Sequence, residues 1–192
     1  MKAVHEDSLL YFRMSVITLI KENYKSSNFL LLADNFVQQP SLLDDLVGVA
    51  TSQLSHPFPE YASWLLIHVE KKSPGILIPF QHNFIDYLLN GKNQSVLRNL
   101  LNCCHVLPLI EYQESAFLDQ LLLFVADDTN KVALQVYAIY KLIQFTHKYP
   151  EIKNEIEALF ALKEENGNSS AKIKPAMRVA IKNYRQKTVQ LS

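Results

Sequence analysis

The recurrence of proline at the interval of a helix pair constrains this chain more than any other feature. Pro40, Pro74, Pro108 and Pro150 are separated by 34, 34 and 42 residues, and each stands between two segments with helical apolar spacing. Positions at fixed offsets from these prolines agree with one another. Eight before them stand Leu32, Leu66, Leu100 and Leu142, and seven before stand Ala33, Ile67, Leu101 and Ile143. Two after come Leu42, Ile76, Ile110 and Ile152; ten after come Ala50, Phe84, Leu118 and Phe160. Proline lacks an amide donor and turns its predecessor away from helix, so one helix ends near it and a second starts just beyond. Such a unit cannot bury its apolar stripe alone and must stack on its neighbours.

The spacing predicts first helices near 28–38, 59–71, 94–106 and 131–147, and second helices near 41–54, 79–90, 112–126 and 150–164. In the unit containing Pro74, the second helix is expected to start late, at Pro79. Capping helices are expected near 7–24, with Leu9, Phe12, Val16, Leu19 and Ile20 on one face, and near 175–188, with Met177, Ile181, Tyr184 and Thr188. The polar run 166–170 reads as a loop. The fold class expected is all-α, an α-α superhelix of about four to five stacked antiparallel helix pairs, forming one helical-repeat domain over residues 1–192. Composition agrees: four glycines are few for a fold rich in tight strand turns, and 48% apolar residues are too many for a disordered chain.

Other classes are excluded on similar grounds. No segment approaches the ~20 uninterrupted apolar residues that span a bilayer, and the run from Val16 to Ile20 lies between Arg13 and Lys21. His5, Glu6 and Asp7 do not make the positive start of a signal peptide. Cys103 and Cys104 are adjacent and cannot staple distant segments, so a cytoplasmic location is expected.

At this point the chain resembles the HEAT and armadillo class of α-solenoids over roughly residues 28–188. Tyr61 to Leu66, Val96-Leu97-Arg98 and Val132 to Ala138 look like degenerate forms of the Val-Arg-x-x-Ala pattern of HEAT first helices, with Arg98 keeping the arginine. Ala62 and Trp64, with Pro79 downstream, are also similar to small bacterial helical-repeat proteins. The resemblance implies a non-enzymatic protein-interaction module whose second helices line a concave surface. On that implication Gln81, His82, Asp86, Gln113, Glu114, Gln120, Asn154 and Glu157 become candidate partner contacts. Certain HEAT-like proteins engage DNA, so nucleic-acid binding, with a role in DNA repair, is the alternative.

The residues themselves define no chemistry. The sequence has no Gly-rich phosphate loop, no His-Glu-x-x-His and no Gly-x-Ser-x-Gly. His68 and His105 lie about one repeat apart, but two histidines fall short of the three or four ligands of a zinc site. No catalytic residue, metal ligand or cofactor is assigned. Glu60, Asp86, Glu111, Glu114 and Asp119 read as solvated helix faces, Cys104 as packing, and Trp64 with its neighbouring aromatics as core.

Charge is the sharper signal. Residues 1–130 hold 8 Lys/Arg against 14 Asp/Glu, whereas residues 131–192 hold 11 against 5. An acidic first two-thirds argues against a broad phosphate-binding track and favours a protein partner. The final helix carries Lys174, Arg178, Lys182 and Arg185 at spacings of four, four and three, which aligns them in one basic file beside its apolar stripe. That file is expected to cap the stack or to meet an acidic partner.

Overall fold

A computed structural model describes residues 16–23, 31–166 and 174–189. Within them no strand occurs. Helix α1 covers 16–23, followed by α2 (Leu32–Gln38), α3 (Leu43–Ala50), α4 (Phe58–Lys72), α5 (Gln81–Asn90), α6 (Gln94–Cys104), α7 (Glu114–Ala126), α8 (Val132–Lys148), α9 (Lys153–Asn166) and α10 (Pro175–Thr188). The expected cap over 7–15 and at 24, the start of the first unit over 28–30, and loop residues 167–170 lie outside the described residues.

The proline columns map onto burial. All eight side chains at the two upstream offsets are buried, from Leu32 and Ala33 through Leu142 and Ile143. The downstream column Leu42, Ile76, Ile110 and Ile152 is half-buried against the same core, and in the last column Ala50, Phe84 and Phe160 are fully buried. Second helices start two or three residues later than the spacing predicts. Before α3, α5 and α9 the reason is that Pro40–Leu42, Ile78–Phe80 and Pro150–Ile152 each form a single 3-10 turn; before α7 it is the left-handed Gln113. Helix α3 stops at Ala50, short of the predicted 54, and the Thr51 and Ser52 hydroxyls donate to the Val47 and Val49 carbonyls there.

First helices α2, α4, α6, α8 and α10 form one row, each packed on the next. The second helices α3, α5 and α7 pack most closely on the first helix of the following unit, α4, α6 and α8. Most long-range side-chain hydrogen bonds accordingly join residues about one repeat apart. The Asn99 amide of α6 donates to Ser63 Oγ of α4 at 3.1 Å, a separation of 36 residues. Gln144 Nε2 donates to the His105 carbonyl at 2.9 Å, a separation of 39. Buried Glu70 at the end of α4 accepts from the Gly75 and Leu77 amides at 2.6 and 3.2 Å and so shapes the turn into α5.

Trp64 departs from the core expectation. It is half-buried, with its ring edge-on to His68 at 4.2 Å. Phe84, Phe117, Phe124 and Phe145 are buried as expected, while Phe80, Tyr87, Tyr137 and Tyr140 pack against the core from its margin. Among the described residues no helix is long and apolar enough to cross a membrane.

Candidate functional site

The second-helix side of the stack gathers three of the residues singled out by sequence. Asp86, midway along α5, accepts a hydrogen bond from Gln113 Nε2 at 2.7 Å and another from the Tyr112 hydroxyl at 2.8 Å. The exposed His82, one turn earlier on α5, lies edge-on to Tyr112 at 6.2 Å between centroids. Tyr112 and Gln113 come from the connection before α7. Gln113 has left-handed backbone geometry, φ 46° and ψ 37°, which a side chain other than glycine adopts only at a cost. Its side-chain bond to Asp86 helps to hold that conformation.

Glu114 begins α7 and faces the next unit. It pairs with Lys148 at 2.7 Å and accepts from the Tyr149 hydroxyl at 2.9 Å. The Lys148 hydrogen bond holds the Glu114 carboxyl below its ordinary range, although burial pushes the other way, and Glu114 in turn raises Lys148. The line from Asp86 through Gln113 to Glu114 and Tyr149 therefore ties successive units together along one face.

The remaining candidates are dispersed. Gln81 is 2% exposed and sits in the interior, because it stands one turn before Phe84 and Ile85 on the same buried face of α5; it offers no surface contact. Asn154 is exposed on α9. Glu157 accepts from Arg185 at 2.9 Å, and Arg185 also bonds Glu164 at 3.0 Å. The expected basic file is thus divided: Arg185 is spent inside the fold, and Lys174, Arg178 and Lys182 are exposed. Tyr112, Lys148 and Tyr149 were missed by sequence, since nothing in their local spacing marks the side chains they meet 26 to 35 residues away.

Gln120 lines a groove of about 650 Å³ between α7 and the turn joining α5 to α6, together with Gly91, Lys92, Leu97, Leu123 and Asn130. Across Lys92 a second groove of about 500 Å³ is lined by Ser52, Leu54, Tyr87, Asn90 and Asn93. Beside it, burial pushes Glu60 upward, but the Asn93 hydrogen bond and nearby His56 outweigh this and leave its carboxyl below the usual value. The turn between the grooves depends on Gly91: a Cβ there would lie 2.3 Å from Tyr87 Cε1 and 2.6 Å from the Tyr87 carbonyl oxygen. The backbone oxygen cannot swing aside, so Gly91→Ala is expected to cost about 1–3 kcal/mol in urea unfolding. An unchanged unfolding midpoint would show that the turn has room.

The other sequence candidates are absorbed by packing. Cys103 and Cys104 are buried free thiols, and burial pushes both upward, Cys104 to about 12. His105 stacks on Tyr137 at 5.0 Å, and burial lowers it below its ordinary value. Burial lowers His68 as well, helped by Lys71 and Lys72. Among the described residues no group of three or more His, Cys, Asp or Glu side chains could hold a metal ion.

A row of first helices backed by second helices, cross-linked at one-repeat separations, defines an α-solenoid scaffold. The sequence model of the HEAT repeat domain family matches residues 51–188. The chain belongs to that family, whose domains are in general non-catalytic scaffolds for protein interaction. No curated protein and no solved structure matches it.

Proposed function

We propose that this chain is a non-enzymatic protein-interaction module that receives a protein partner on its second-helix face, centred on α5 and α7. The observation that carries this reading is the hydrogen-bonded group Asp86, Tyr112 and Gln113, with the exposed His82 beside Tyr112. It is a set of polar side chains held in fixed positions at the start of a helix whose outer stripe exposes Asp119 and Leu123. Preorganised polar groups beside an exposed leucine suit a protein surface, because little side-chain freedom is lost on docking. The acid side chains on this face repel phosphate and so disfavour the nucleic-acid alternative.

The test uses His82→Ala, Asp119→Lys and Leu123→Glu, three exposed positions whose replacement should move stability by only about 0.5 kcal/mol each. Affinity capture with the unmodified chain is expected to return a saturable partner whose binding falls at least about tenfold in the triple variant. No saturable partner, or equal retention by the variant, would contradict the assignment. Salt-dependent binding of a labelled DNA duplex would favour the alternative.

A further inference from the structure

The second-helix face continues past α7 onto α9. His82 and Asp86 stand two residues either side of the buried Phe84, Asp119 and Leu123 two either side of Leu121, and Ala158 and Leu162 two either side of Phe160. Two residues turn an α-helix by about 200°, so each of these pairs points away from the first helices. On α9, Glu155 and Leu162 also precede Glu157 and Glu164 by two, and those glutamates bond Arg185 of α10. Glu155 and Leu162 therefore lie on the side turned away from α10. Because α5 packs beside α7 and α7 beside α9, the outward residues of the three helices join in one face.

The charge left uncompensated on this face is of one sign. Helices α5 and α7 contain no lysine or arginine. Both lysines of α9 are drawn inward, Lys153 to the Thr188 carbonyl at 3.1 Å and Lys163 to Asp128. Asp86, Asp119, Glu155 and Glu165 form no ion pair with a described residue, and the Tyr112 and Gln113 groups that donate to Asp86 are neutral. Leu123 and Leu162 stand among these carboxylates at 60% and 57% exposure. The nearest cations at the helix ends are Lys92 and Lys131 in the turns, and Lys148, which Glu114 holds.

From this sorting of charge we infer that the protein partner offers this face a cationic, extended segment, whose lysine or arginine side chains meet Asp119 and Glu155 while an apolar side chain beside them covers Leu123 and Leu162. The inference rests on the second-helix face being the partner site, and it adds α9 to that site. Glu114, at the start of α7, accepts from Tyr149 just ahead of α9. Asp119 is five residues beyond Glu114 and Glu155 six beyond Tyr149, so the two carboxylates stand at about the same height on adjacent helices. Packed helix axes lie about 8–10 Å apart and an extended chain rises about 3.3 Å per residue, so two cations three residues apart reach both. Asp86 lengthens the acidic face towards α5. Phosphates or an acidic segment would be repelled at the same positions.

The test is an NMR titration of the isotope-labelled full chain with an acetylated peptide that carries lysine at every third position and leucine beside each lysine. Saturable shifts are expected on α5, α7 and α9, with affinity falling at least about tenfold between about 0.05 and 0.5 M salt. The same peptide with glutamate for lysine should give none. Asp119→Asn with Glu155→Gln changes two exposed side chains, spares the fold and should weaken binding about tenfold. Glu22→Gln, which removes an exposed carboxylate from α1, should leave binding unchanged. No shifts up to about 1 mM peptide at low salt, shifts on α4, α6 and α8 instead, equal binding of the glutamate peptide, or an equal effect of Glu22→Gln would overturn the inference. Suppose a captured partner is lost with the His82, Asp119 and Leu123 substitutions, yet is held at high salt and by Asp119→Asn with Glu155→Gln. That result would overturn the cationic assignment alone and leave the partner face in place, whereas capture of no partner would remove the face itself.

Discussion

Replacing Tyr184 with alanine is expected to destabilise the chain by about 3–5 kcal/mol, the usual cost of emptying a fully buried aromatic site. Tyr184 is 0% exposed, meets Phe160 of α9 edge-on, and shares a 2.8 Å hydrogen bond with Thr146 of α8. One side chain thus fastens α10 to both helices of the preceding unit. Burial raises its hydroxyl above the ordinary tyrosine value, and the Thr146 hydroxyl opposes that only in part. Tyr184→Phe keeps the ring and removes the hydroxyl from a bond with a buried partner, so about 1 kcal/mol is expected. Stability in a solenoid is close to a sum over neighbouring units, so the alanine variant should melt first at this end. Urea unfolding followed by hydrogen exchange would show α10 amides losing protection ahead of those in α4 and α6. Uniform loss across the chain, or a cost under about 1 kcal/mol, would show that α10 is not held through this residue.

The second large effect is a pH dependence that singles out Lys141. This side chain is 1% exposed, and its ammonium donates to the Leu107 carbonyl at 2.9 Å, the Pro108 carbonyl at 3.4 Å and Gln144 Oε1 at 3.0 Å. It forms no ion pair with a described carboxylate. Burial pushes its pKa down to about 8, with neighbouring Cys104 a weaker influence in the opposite direction. An unfolded lysine titrates near 10.4, so between about pH 8 and 10.4 the unfolded chain binds the extra proton and stability rises with pH. The gain is fully present above the unfolded value and is lost as pH falls through about 8; its size is about 3 kcal/mol.

Cys104 acts with the opposite sign. Its raised pKa contributes stability below the ordinary thiol range that is lost as pH rises towards about 12. The clean measurement is therefore the stability difference between the native chain and Lys141→Met, in which the thiols are common to both. That difference should shift by about 3 kcal/mol in favour of the native chain between about pH 7 and 10.5. A difference that ignores pH would mean that the three acceptors hold the ammonium charged throughout.

Much of the fold was legible before any coordinates. The columns Leu32, Leu66, Leu100, Leu142 and Ala33, Ile67, Leu101, Ile143 are all buried because a first helix has one apolar stripe, and stacking presents that stripe to both neighbours in every unit. Start signals were read less well: a proline ends one helix reliably, yet a 3-10 turn can precede the next; and Gln81, taken for a surface residue by its polarity, is buried because it shares the helix face of Phe84, Ile85 and Leu88. On the candidate site, periodicity placed His82, Asp86 and Gln113 on second-helix segments but had no means of joining them. Their junction depends on Tyr112 and on one left-handed residue, neither of which any apolar period encodes.

What this sequence determined by itself is the class of element, its repeat and its buried face, because those follow from backbone chemistry and apolar spacing within a few turns of chain. What the tertiary structure decided is which charges are consumed and which remain. Arg185 and Arg178 stand in the same basic file, yet only Arg185 reaches Glu157 and Glu164; Lys141 is buried against backbone carbonyls, whereas Lys148, two turns further along α8, is exposed and pairs with Glu114. Those outcomes rest on pairings with residues up to 34 positions away, set by the rotation of one unit on the next. That rotation is fixed when the side chains of both units interlock, and local sequence does not carry it.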